Sequence, residues 1–208
     1  MDPTAAIVDS QSLGAAANIP RSTSGWDGGK KVGGRKRHVV VDCLGLVLAV
    51  AVTAASVQDR DAAVGLLERL RTGFFSIRLV WADGGYAGRL VDWAVENLGL
   101  VLEIVRRCDD TTGFVVLPRR WVVERTLSWL MRSRRLVRDY ETLPVMHEAV
   151  VLWSMTMLMS GRLAGIRATS ASIHRARAAG SPAKARRRLV RKPAWATRPR
   201  GTAPRTWR

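Results

Sequence analysis

Short apolar blocks alternate with polar breaks along the chain, and their spacing changes from strand-like to helical. β-Branched runs at Arg37–Val41 and Leu46–Thr53 flank Asp42-Cys43-Leu44-Gly45, which predicts a β-hairpin with glycine in its turn. A shorter run, Ala5-Ala6-Ile7-Val8, predicts a first strand ending at Asp9-Ser10. Residues 10–35, rich in Gly, Ser and Lys, read as a loop. From Asp59 onward Val64, Leu67 and Leu70 fall on one helical face, with Asp59 as N-cap and Gly73 as stop. Further strands are expected at Ile77–Trp81 and Leu100–Val105, separated by a helix over Tyr86–Asn97. After a turn near residues 109–113 and Pro118, two more helices are expected over Arg119–Val137 and Leu143–Leu163. Strand, hairpin, helix, strand, helix, strand, helix, helix is the order of an α/β domain with a mixed sheet flanked by helices.

Composition divides this picture in two. The chain has 208 residues and a formal charge of +17, from 34 basic and 17 acidic side chains. Residues 162–208 hold 14 of the basic residues and none of the acids, so the remainder carries only +3. The charge therefore describes mostly a tail. Residues 1–163 are expected to form the domain, and residues 164–208, without a periodic apolar face, a basic disordered tail. Two cysteines, Cys43 and Cys108, exclude a disulfide scaffold and a cysteine-based zinc site. The most apolar run, Ala149–Met159, is about half the roughly 20 residues of a membrane span and reads as a buried helix. The N-terminus shows no signal-peptide pattern, which favours an intracellular protein.

Three acids stand out by position. Asp9 ends the first apolar strand, Asp83 ends a later one and precedes Gly84-Gly85, and Glu124 lies one turn into a long helix. Sites in α/β sheets gather at the carboxyl ends of strands. Two aspartates on neighbouring strands, with a helix-borne glutamate, would form a cup of hard oxygen donors suited to Mg²⁺. Each acid also has a plain reading: a turn aspartate, a loop start, and an i,i+4 partner for Arg120 or Ser128. Asp42, Asp59 and Asp61 are accounted for by the hairpin turn and a helix N-terminus. The basic stretch from Lys30 to His38 is either a solvated loop entering the hairpin or a surface for backbone phosphates. It is no nucleotide P-loop, because Ser24 and Lys31 stand where glycine and Ser/Thr are needed.

Ile7-Val8-Asp9-Ser10-Gln11-Ser12, Gly29-Lys30-Lys31-Val32-Gly33-Gly34-Arg35-Lys36-Arg37-His38 and Asp42-Cys43-Leu44-Gly45-Leu46 together resemble bacterial insertion-sequence transposases of the IS5/IS4-like group. So do Ser56-Val57-Gln58-Asp59-Arg60-Asp61, Trp81-Ala82-Asp83-Gly84-Gly85-Tyr86 and Arg119-Arg120-Trp121-Val122-Val123-Glu124-Arg125-Thr126. The resemblance spans about residues 5–163. It implies an RNase H-like fold and a catalytic, metal-holding triad at Asp9, Asp83 and Glu124. Two Mg²⁺ (or Mn²⁺) ions would serve DNA cleavage and strand transfer. Double-stranded DNA would be the partner, and the protein would act as a homo-oligomer in the bacterial cytoplasm, associated with the nucleoid and not with a membrane.

In the family's Y-R-E-K signature, Arg120 and Glu124 match the arginine and glutamate. Leu117 stands at the tyrosine position and Met131 at the lysine position, with Arg132 beside it. Lys30, Lys31, Arg35, Lys36, Arg37, Arg120 and Arg132 are then the expected DNA contacts. Only eight residues precede Asp9, where such transposases carry a helical segment that recognises the element ends. The chain is accordingly expected to be a catalytic half, not competent alone. A non-catalytic DNA-binding remnant is the rival expectation.

Overall fold

The computed structural model describes residues 2–105 and 120–178, with side chains as far as Ala164. Six strands form one mixed sheet. β1 (Ala5–Gly14) runs antiparallel to β3 (Val32–Val41) on one side and parallel to β5 (Leu79–Ala82) on the other; β5 in turn pairs in parallel with β6 (Val101–Ile104). The far edge of β3 is shared end to end. β2 (Gly25–Asp27) pairs with its residues 32–34, and β4 (Val47–Ala54) with residues 35–41. This is an α/β arrangement, a mixed sheet flanked by helices, as the order of elements led one to expect.

The described residues also form four α-helices: α1 (Asp59–Gly73), α2 (Arg89–Leu98), α3 (Arg120–Leu130) and α4 (Pro144–Ala178). Alternation along the strands sends side chains to two separate cores. Ala6, Val8, Val40, Val80 and Ala82 pack with Leu66, Leu67 and Leu70 of α1 and Leu90 of α2. Ile7, Val39 and Val41 point the other way, onto Val123 and Leu127 of α3 and Val151 and Met155 of α4. The free edge of β4 is not left open: Glu148 of α4 accepts from Val52 N at 3.0 Å, and Arg69 of α1 donates to Val50 O at 3.0 Å. Side chains thus blunt an edge that could otherwise pair with another chain.

Several boundaries differ from the hydrophobic pattern. β1 continues six residues beyond Val8, to Gly14, and β3 begins at Val32, so much of the expected loop is ladder. Ser10, Gln11, Ser12 and Leu13 pair with His38, Arg37, Lys36 and Arg35. Polar side chains erased the apolar signal, but the backbone hydrogen bonds remained available. α3 ends at Leu130 instead of continuing to Val137, and a one-turn helix, Arg134–Leu136, follows. Internal contacts divide the chain into Met1–Ala164 and Gly165–Arg208. The backbone of α4 stays helical to Ala178, where disorder was expected from residue 164. The expected turn at 109–113, Leu117 and residues 179–208 lie outside the described residues. Among the described residues no helix is long and apolar enough to cross a membrane.

The polar half of β3 is buried, and this corrects the reading of its basic residues. Arg35 and Arg37 are wholly buried and Lys36 nearly so. They do not face DNA, because each side chain is committed inside the fold. Arg35 pairs with Asp139 at 3.0 Å and donates to the carbonyls of Thr23, Glu141 and Thr142. Arg37 donates to Leu136 O and to the Gln11 side chain, and burial lowers its pKa to about 10. Asp139 also meets His147 Nδ1 at 2.9 Å and accepts from Glu141 N at 3.0 Å. Burial alone would raise the Asp139 pKa, but His147, the Glu141 amide and Arg35 together hold it below the usual value. Backbone bonds from Asp139 N to Gly14 O and from Ala16 N to Asp139 O tie this segment to the end of β1. Breaking a buried ion pair from one side leaves a bare charge. Arg35→Met is therefore expected to lower unfolding stability by about 3–5 kcal/mol in denaturant titrations; a loss within about 0.5 kcal/mol, typical of surface changes, would contradict it.

Candidate active site

The register between β1 and β5 sets the site. Ile7 lies beside Trp81 in the parallel ladder, and both point toward α3. Two residues farther along each strand, the same face carries Asp9 and Asp83. Asp9 lies inside β1 and not at its end, with its carboxylate almost buried. Its Oδ1 accepts from Ser10 N at 2.7 Å. Asp83 directly follows β5 and caps a one-turn helix, Gly84–Tyr86, by accepting from Gly85 N at 2.9 Å. A Cβ on Gly85 would stand 3.0 Å from Asp83 Oδ1 and 3.4 Å from Asp59 Oδ2, so the absent side chain lets the turn fold over both acids.

α3 brings the third acid. Its docking is fixed by the β3–β4 turn: Thr126 donates to Gly45 O at 2.8 Å and Arg125 to Leu44 O at 2.9 Å. Gly45 has φ +86°, and a Cβ there would meet Thr126 Oγ1 at 2.6 Å. Asp42 shapes this turn by accepting from Leu44 N and Leu46 N, in agreement with its reading as a turn residue. With Val123 and Leu127 buried, Glu124 is turned toward the aspartates and remains half exposed.

The three carboxylates surround one guanidinium. Arg120 of α3 places Nη2 at 3.3 Å from Asp9 Oδ2, 3.6 Å from Asp83 Oδ2 and 3.9 Å from Glu124 Oε1. The i,i+4 pairing of Glu124 with Arg120 and the gathering of three acids therefore hold together. Burial raises the Asp9 pKa, with Asp83 adding to the rise, against the Ser10 amide and Arg120, which lower it. Below the cup, the buried Tyr86 hydroxyl is held well above its ordinary pKa by burial and by Asp9, Asp59 and Asp83. Among the described residues no three His, Cys, Asp or Glu side chains stand ready to hold a metal ion. The donor set is nevertheless all carboxylate, and it already converges on a cation.

Asp59 is the residue that sequence reasoning missed. It is the first residue of α1 and not the expected N-cap, which is Gln58, and it also pairs with Lys36 Nζ at 3.1 Å and approaches His38 Nδ1 at 3.9 Å. Lys36 also lies 3.7 Å from Asp27, which accepts from Ser12 at 2.6 Å and from Gly29 N and Lys30 N. The network fixes the turn that carries Lys30 and Lys31. Both lysines are exposed, as is Arg132 after α3, and Lys30 Nζ reaches Ser10 O at 3.3 Å. Asp59 lies in one of the family-like motifs, but its place beside the site shows only in the tertiary approach to Gly85.

The model of the family described as "Transposase DDE domain" matches residues 1–159. The chain belongs to the DDE transposase family. A relative from Burkholderia cepacia, described as a putative transposase for insertion sequence element IS402, is 30% identical over 150 residues. That match spans 69% of this chain and 68% of the relative. A chain of the cryo-EM structure of the simian T-cell lymphotropic virus intasome with PP2A regulatory subunit B56 gamma is 15% identical with a TM-score of 0.47. That match covers 74% of this chain and 48% of the other. DDE transposases are polynucleotidyl transferases of DNA transposition; they act on DNA and generally use divalent metal ions. This chain carries their catalytic domain.

One titration follows from the DDE domain's inner network. Burial lowers the His38 pKa from its ordinary 6.5 to about 4; Lys36 and Lys30 add to the fall and Asp59 opposes it. The folded state thus binds fewer protons than the unfolded chain. Its stabilising effect is complete above 6.5 and is lost as pH falls toward 4. Thermal melting should therefore decline over that window by up to about 3 kcal/mol in stability, and His38→Gln should flatten the decline. An unchanged slope in the variant would contradict the assignment.

Proposed function

We propose that this domain performs metal-dependent DNA cleavage and strand transfer, with Asp9, Asp83 and Glu124 as the catalytic carboxylates. The observation that carries the reading is their convergence, from two strands and a helix far apart in sequence, on the single Arg120 guanidinium. Hard divalent cations take oxygen ligands, and carboxylates with substrate phosphates suffice for Mg²⁺. The three acids fit that chemistry. Asp9 and Asp83 would hold two Mg²⁺ or Mn²⁺ ions, with Glu124 completing the second position. Such ions supply activation of the attacking oxygen and stabilisation of the leaving one.

In the first step a water oxygen forms a bond to phosphorus and the P–O3′ bond breaks, leaving a 3′-hydroxyl and a 5′-phosphate. In the second, that hydroxyl attacks a phosphorus in target DNA, and one P–O3′ bond is exchanged for another. No oxidant or cofactor energy is needed. Burial of Asp9 and the rigid parallel ladder keep the acids in position for an in-line displacement.

Double-stranded DNA, at element ends and at the target, is the partner on this reading, engaged by a homo-oligomer. Lys30, Lys31, Arg120 and Arg132 remain as phosphate contacts; Arg35, Lys36 and Arg37 do not. Of these, Lys30 and Lys31 have the firmest support, because Asp27 and Lys36 hold their turn rigidly beside the carboxyl end of β1. Asp9→Asn, Asp83→Asn and Glu124→Gln should each reduce Mg²⁺-dependent cleavage of DNA bearing the element ends by more than about a hundredfold. That is the upper range for groups that merely support a metal ligand. Melting curves should remain cooperative in all three, and retained cleavage would reject the triad. Separately, Lys30→Ala with Lys31→Ala should weaken DNA binding and make the salt dependence shallower by about two phosphate contacts. No change in slope would remove this turn from the DNA surface.

A further inference from the structure

Arg120 is held in an unusual manner. A guanidinium offers five donors in a planar fork. Here a single nitrogen, Nη2, makes the contacts to Asp9, Asp83 and Glu124, and only the shortest, 3.3 Å, lies within hydrogen-bond range. Among the described residues the buried Nε atom has no hydrogen-bond partner. The hydrogen-bonding geometry works against this placement, so the three carboxylate charges are what hold it. A contact of that kind is readily exchanged for another cation.

We propose that Arg120 is the resident counter-ion of the metal-free cup, and that a divalent cation and the Arg120 guanidinium occupy the cup in alternation. Before metal arrives, one positive charge keeps three acids, two of them on adjacent strands, from repelling one another. A divalent cation at the same point would sit against a like charge unless the guanidinium withdrew. Withdrawal frees a cation tethered to α3, for which a phosphate oxygen is a new partner. The inference rests on the metal-dependent reading given above and assigns Arg120 a positioning role within it.

The test uses the full chain without DNA, so that activity does not enter. Mn²⁺ binding is measured by the loss of the free-ion paramagnetic signal, and melting is followed with and without Mn²⁺. Arg120→Gln is expected to bind Mn²⁺ about tenfold more tightly than the unaltered chain, the equivalent of losing two ordinary ion-pair contacts to a competitor. It should also melt at a lower temperature in chelator and gain more from Mn²⁺. Arg120→Lys, which keeps the charge, should bind Mn²⁺ much as the unaltered chain does. Arg134→Gln removes the same charge from an exposed side chain in the one-turn helix after α3, and should leave Mn²⁺ binding unchanged. Equal or weaker binding by Arg120→Gln, or equal tightening by Arg134→Gln, overturns the proposal. If Arg120→Gln folds only with Mn²⁺ present, that dependence is the same exchange and supports it. If Asp9→Asn binds Mn²⁺ as well as the unaltered chain, the metal reading itself fails. Normal metal loss in Asp9→Asn without tightening in Arg120→Gln sinks only the counter-ion role.

Discussion

The parallel hydrogen-bonded ladder between β1 and β5 is the constraint on which the site depends. Ile7 opposite Trp81 fixes which residues come next on each strand and which face they share. A slip of one residue would send one aspartate to the α1 side and leave the other facing α3. The same alternation that divides the apolar residues between two cores therefore also decides that two carboxylates meet. The backbone brings together charges that would not associate by themselves; burial raises the pKa of Asp9, and the nearby Asp83 adds to the rise.

Opposite charges within the domain are kept on short tethers. The buried basic residues of β3 each have assigned partners: Arg35 with Asp139, Lys36 with Asp59 and Asp27, and Arg37 with Gln11 and the Leu136 carbonyl. These pairs join β3 to α1, to the β2 turn and to the segment after α3. A buried pair of this sort contributes little net stability, but losing one partner is costly. Its value lies in registration: each pair is satisfied in one arrangement of the elements.

Much of this was legible in the sequence, and the errors share a cause. Apolar periodicity located α1, α2, β4, β5 and the strand half of the hairpin. The DGG turn, the position of Glu124 one turn into a helix, and the family motifs identified the three acids. Periodicity failed where strand residues are polar. Ser10 to Ser12 and Arg35 to Arg37 looked like a basic loop, although they form the central ladder of the sheet. A run such as Arg35-Lys36-Arg37 carries no local mark of burial, because the acids that neutralise it, Asp139 and Asp59, come from distant segments. Asp59 was accounted for by the helix it begins, which hid its second position beside Asp83.

α3 is fastened at its middle and again beyond its last turn. Thr126 and Arg125 bind it to the β3–β4 turn, and the segment after it is stitched to β1 through Asp139, Gly14 and Ala16. These ties oppose rocking of the helix against the strand that bears Asp9. Side-chain rotation, on the picosecond-to-nanosecond scale, is the motion they leave free between Glu124 and Asp9. Conformational entropy is thus surrendered once, when the chain folds, and is not surrendered again at each encounter with a ligand.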